Sequence, residues 1–162
     1  MRIRTSPGPV RWHRTARTLA RLHRPPAPAR PSRPAQLLAL VAVLDEAVAA
    51  QTPADAAVAA CGEPGPVSCR TARMCNRQSS TLHRLRTRLQ DLELSDPDLV
   101  RAQAHAARLL AYDLWMLRES LDLAFTLRPD PRTEAGRLRL NGLGRHADDL
   151  RRLRDELREE AG

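Results

Sequence analysis

The chain has 162 residues, 28% charged and 2% aromatic, with a formal net charge of +8. That size fits one domain plus tails. Leu and Ala dominate, whereas Val and Ile together number eight, so strands lack their favoured residues and an all-α fold is expected. Three cysteines do not make a disulfide framework in a chain able to build its own core.

The charge is unevenly placed. Lys is absent, and all 27 basic residues are Arg. Residues 1–33 hold nine Arg and no acid, a net +9, while residues 34–162 sum to −1. The body is therefore nearly neutral and the first segment strongly cationic. With seven prolines in residues 1–34 and little to bury, this Arg/Pro-rich arm is expected to be disordered. Within it, Arg11, Arg14, Arg17, Arg21 and Arg24 recur every three or four residues, with Trp12, Ala16, Leu19 and Ala20 able to face the other way. A basic amphipathic helix over 10–24, stopped by Pro25-Pro26, would suit a polyanion, or an acidic membrane with Trp12 as anchor. The plain readings are an idle tail, or upstream sequence taken in by a wrongly chosen start.

The first helix is expected over 34–51, capped by Ser32, with Leu37, Leu40, Val41, Leu44 and Val48 as its buried stripe. Thr52-Pro53-Ala54-Asp55 reads as a capping box with Pro at the first helical position, opening a short extra helix at 53–61 that Gly62 ends. The longest unbroken apolar run, Leu37 to Leu44, is too short to span a bilayer, and nothing at the start reads as a secretory signal. Val58-Ala59-Ala60-Cys61 looks like a lipoprotein box but stands too far into the chain. A cytoplasmic protein with no transmembrane segment is expected.

After the loop Gly62–Pro66, a helix over 67–93 carries Cys75, Leu82, Leu85, Leu89 and Leu92 on one stripe. Arg70, Arg73, Arg77, Arg84 and Arg88 fall within about 60° of arc on the same helix, at 100° per residue. They form either a solvated face, partly paired with neighbouring acids, or a second contact for an acidic partner such as nucleic acid.

Only Leu94 and Ser95 then precede the next helix, 96–127, so the two should form an antiparallel hairpin. Ser95 and Asp98 read as a capping box. Leu99, Ala102, Ala106, Leu110, Leu114, Leu117, Leu121 and Ala124 make one apolar face; Leu109, Tyr112, Met116 and Leu123 make a second. Apolar on two faces, this helix is the expected central rod, with Tyr112, Trp115 and Phe125 packed in the core. Arg128, before Pro129, marks its end. Asp130-Pro131 opens the last helix, 131–160, whose Asn141-Gly142-Leu143-Gly144 should kink or break it. These elements describe an up-down antiparallel four-helix bundle.

Signatures of chemistry are sparse. There is no Glu-x-x-His pair, HExxH, CxxC or glycine-rich phosphate loop, and no cofactor is expected. Cys61 and Cys69 flank one loop and could approach; Cys69 and Cys75 would diverge by about 120°. His83, His105 and His146 fall one on each long helix. Counting from the 94–95 turn sets His83 and His105 at one height, the best metal pair available, with His146 nearer Tyr112. The sequence thus suggests a non-catalytic interaction protein that binds a protein partner, or itself, through helical faces, with a basic arm for nucleic acid. The alternative is a small metal-binding or enzymatic bundle using His83 and His105.

Overall fold

A computed structural model describes residues 31–127 and 129–162. The basic segment with Arg11, Arg14, Arg17, Arg21 and Arg24, and Arg128, lie outside the described residues, while the helix expected to run to 127 ends at Ala124, capped by Phe125. Among the described residues, five helices follow in order: α1 Arg33–Gly62, α2 Cys69–Gln90, α3 Pro97–Ala124, α4 Pro131–Arg137 and α5 Arg145–Ala161. The described residues contain no strand, and the helices pack on one another as an all-α bundle.

Inter-helix bonds fix the directions. Arg88 reaches Glu46 and Cys75 reaches Ala57, so α2 runs antiparallel to α1. Gln36 meets Ser95 while Gln51 meets Asp113, so α1 and α3 run parallel. Arg158 meets Asp45 while the Leu143 amide meets Asp55, so α5 returns antiparallel to α1. Both α1 and α3 pack against α2 and α5 as well as against each other, and α4 leans on α3. The centre is therefore a parallel pair flanked by α2 and α5.

The first helix and the short extra helix expected at 53–61 are a single element. Leu37, Leu40, Leu44, Ala47, Gln51, Ala54, Val58 and Cys61 are all buried, at alternating steps of three and four that run unbroken through Pro53. Proline removes one backbone donor and pushes on the preceding turn. Here Thr52 and Pro53 both face solvent, so the disturbance falls on the wet side and the packed stripe continues. With thirteen buried residues against seven in α3, α1 is the more enclosed of the central pair, although the sequence pointed to α3. By length and composition α1 is also apolar enough to cross a membrane, with a mean hydropathy of 1.4; here its stripe forms the bundle core.

Local bonds move several boundaries. The cap of α3 is Asp96, whose Oδ1 accepts from the Asp98 and Leu99 amides. Ser95 is taken by Gln36: the Ser95 amide donates to Gln36 Oε1 at 2.7 Å, and Gln36 Nε2 donates to Ser95 Oγ at 3.0 Å. Gln103 Nε2 donates to the carbonyls of Leu89 and Leu92, closing the end of α2. The break expected at Asn141–Gly144 is present: Gly142 and Gly144 adopt φ of 137° and 75°, and Asp55 Oδ1 accepts from the Leu143 amide. Gly62 serves close packing rather than a turn, since a Cβ there would lie 2.1 Å from the Leu140 carbonyl oxygen.

The aromatics depart from the expectation of core packing. Trp115 is 49% exposed and Phe125 40%, with Tyr112 half-buried. Trp115 lies two residues beyond buried Asp113, about 200° round the helix, and so points away from α1. Tyr112 bridges to the surface, its ring 5.3 Å from Trp115 and 3.9 Å from His146 between centroids. His146 thus stands at the level of Tyr112, as counting from the turn placed it.

Candidate functional site

Helix α2 carries six arginines and no acid. Ser68 caps it, accepting from the Thr71 amide, and Cys75, Leu82, Leu85 and Leu89 are its buried stripe. That stripe leaves Arg70, Arg73, Arg77, Arg84 and Arg88 exposed on the adjacent flank, as the helical period requires.

The five arginines do not act alike. Arg88 donates from both terminal nitrogens to Glu46, at 2.5 and 2.9 Å, and this bonding holds the Glu46 carboxyl below its usual range. Arg84 adds a weaker pull on the same carboxylate. The lower end of the stripe is therefore engaged by α1. Arg70, Arg73 and Arg77 make no ion pair among the described residues. With Met74 and Gln78 they line a surface cavity of about 340 Å³. A flexible thioether between guanidinium groups offers an apolar floor beneath cationic walls.

Helix α5 shows what neutralised arginines look like in this fold. Arg151 pairs with Asp148, Arg152 with Asp149, and both Arg154 and Arg158 with Asp45. Arg108, Arg118, Arg132, Arg139 and Arg145 are also exposed without an ion pair among the described residues, but Arg70, Arg73 and Arg77 share one flank of one helix and one cavity.

The histidines are dispersed. His83 and His105 are both exposed, on α2 and α3. His105 borders a shallow cavity of about 180 Å³ with Asp149, Arg152, Leu153 and Glu156 of α5. His146 packs on Tyr112. Among the described residues, no three His, Cys, Asp or Glu side chains converge as a metal would require.

Two buried pairs escaped the sequence reading. Cys61 approaches Cys75, not Cys69, with 3.7 Å between sulfurs, and Cys69 is exposed. The hydrogen bond with Cys75, then burial, push the Cys61 thiol well up. Gln51 and Asp113 meet across the α1–α3 seam, with Gln51 Nε2 donating to Asp113 Oδ2 at 2.8 Å. Both belong to stripes of apolar residues, Gln51 seven beyond Leu44 and Asp113 four before Leu117, which was the available signal.

Comparison of the chain with protein-family models, with curated proteins and with solved structures gives no match.

Proposed function

We propose that the chain is a non-catalytic helical interaction protein whose α2 face binds an acidic partner, with a nucleic-acid phosphate backbone as the first choice. One observation carries this reading: Arg70, Arg73 and Arg77 stand exposed on one flank of an acid-free helix, with no ion pair among the described residues. Guanidinium groups present paired donors that suit phosphate oxygens, and each phosphate neutralised releases counterions. The cationic segment 1–33, at +9, would add to the same electrostatic attraction.

The test is retention of a labelled duplex by the full chain across a salt series. Three phosphate contacts on α2 should contribute about 2.7 to the slope of log affinity against log salt. The triple variant Arg70→Ala, Arg73→Ala, Arg77→Ala should lose that portion. Replacing Arg11, Arg14, Arg17, Arg21 and Arg24 by Ala measures the arm separately. Unchanged retention and slope in the α2 triple variant would reject the reading.

A further inference from the structure

Halfway along the bundle, two polar side chains occupy places on the apolar stripes of α1 and α3. Gln51 and Asp113 are both 0% exposed. Their one hydrogen bond, from Gln51 Nε2 to Asp113 Oδ2, uses the amide nitrogen and one acid oxygen. The remaining oxygens, Gln51 Oε1 and Asp113 Oδ1, are buried and have no hydrogen-bond partner among the described residues. Two acceptors left over on a bonded pair amount to a deficit of one hydrogen. Buried polar groups in folded proteins are satisfied as a rule, and an ionised carboxylate with a single bond is costly in an apolar seam.

A carboxylic acid removes the deficit. With a proton on Oδ1, Asp113 donates to Gln51 Oε1, and acid and amide close a two-bond ring that satisfies both oxygens left without a partner. We propose that Asp113 is a proton-binding site in the bundle core, and that its proton, shared with Gln51, fastens α1 to α3. Ionisation leaves a buried charge on one bond and loosens that level of the bundle.

The surrounding charges are consistent with this role. From α5, His146 and Arg151 favour the ionised form; from α1, Asp55 opposes it. The charges bearing on Asp113 come from these two helices, none from α2. Burial outweighs the favourable ones and pushes the Asp113 carboxyl up to about 6.

The decisive comparison is wild type against Asp113→Asn. Asparagine is nearly isosteric and can donate to Gln51 Oε1 at every pH, so it mimics the protonated state permanently. Urea unfolding between pH 3 and pH 8 should show the wild-type unfolding constant rising on the order of a hundredfold more than that of the variant, from a shift of about two pKa units, with most of the rise between about pH 4 and pH 6. The variant should match wild type near pH 3 and exceed its stability at pH 8. The carboxyl-carbon NMR resonance of Asp113 in the wild-type chain gives an independent reading, needed if the variant does not fold, and should titrate near pH 6. A carboxyl already ionised at pH 5 would overturn the proposal, as a buried water donating to both oxygens would produce. So would identical pH dependence in the two proteins.

Discussion

Arg137 closes the carboxyl end of α1: its Nη1 donates to the Cys61 carbonyl at 2.8 Å and to the Glu63 carbonyl at 2.7 Å. Its Nε and Nη2 meanwhile bind both oxygens of Glu134 one turn earlier, at 2.9 and 2.6 Å. The last carbonyls of a helix have no intrahelical partner, and here a buried guanidinium supplies it from α4. Truncation to Ala would leave those carbonyls and Glu134 uncompensated. Arg137→Ala should therefore cost about 2–4 kcal/mol of unfolding free energy in urea. Arg137→Lys should recover only part, because an ammonium cannot span both carbonyls and the carboxylate in one plane.

Two glycines predict opposite outcomes for the same substitution. A Cβ on Gly62 meets the backbone oxygen of Leu140 at 2.1 Å, so Gly62→Ala must push the 138–144 connection away from α1. A loss of about 1–3 kcal/mol is expected. Gly136, within α4, has nothing within 4 Å of an added Cβ. Gly136→Ala should stabilise by about 0.5–1 kcal/mol, by restricting the unfolded chain and favouring the helix. Thermal melts of the two variants beside wild type decide both statements.

Much of this architecture is legible in the sequence, and the exceptions share a cause. The helical stripes, the break at Gly142 and Gly144, and the Asp130 cap all follow from spacing and local chemistry. Pro53 misled because a local rule about proline competes with burial, and the stripe through Gln51 and Ala54 decided the outcome. Ser95 misled because its hydroxyl is claimed by Gln36, 59 residues away. Trp115 misled because a large aromatic ring suggests burial, while its helical angle places it outside. The arginine flank of α2 was readable from period alone. Its division at Glu46 was not, since that depends on how α1 lies against α2.

Acid should weaken the bundle through a different set of carboxylates. Backbone amides at helix starts hold Asp96 and Asp130 below the usual carboxylate range; Leu99 and Thr133 are the main donors. A carboxylate whose folded pKa is depressed contributes stability above its unfolded value and loses it as pH falls through the folded one. These caps therefore fail below about pH 4, the reference range for Asp. Asp113 has the opposite sign: its raised value makes the fold less stable as pH climbs from about 4 to 6. Stability against pH should show a maximum between these limbs. Asp130→Asn should flatten only the acid limb, and Asp113→Asn only the other, as read from melting temperatures across pH 3 to 8.

The cysteines should separate cleanly by reactivity. Cys61 and Cys75 are 0% exposed, and each thiol has a partner: the two sulfurs meet each other, and Cys75 donates to the Ala57 carbonyl at 3.6 Å. Cys69 is exposed at the first turn of α2. Thiol reagents act on the accessible thiolate, so burial rather than number governs the count of adducts. Brief alkylation of the folded protein should add one label, which peptide mapping places on Cys69, and alkylation in denaturant should add three. Arg137→Ala frees the end of α1 beside Cys61, so in that variant the second and third labels should appear faster without denaturant. Equal rates for all three cysteines in the wild-type protein would contradict the enclosed junction of α1 and α2 from which the arginine flank projects.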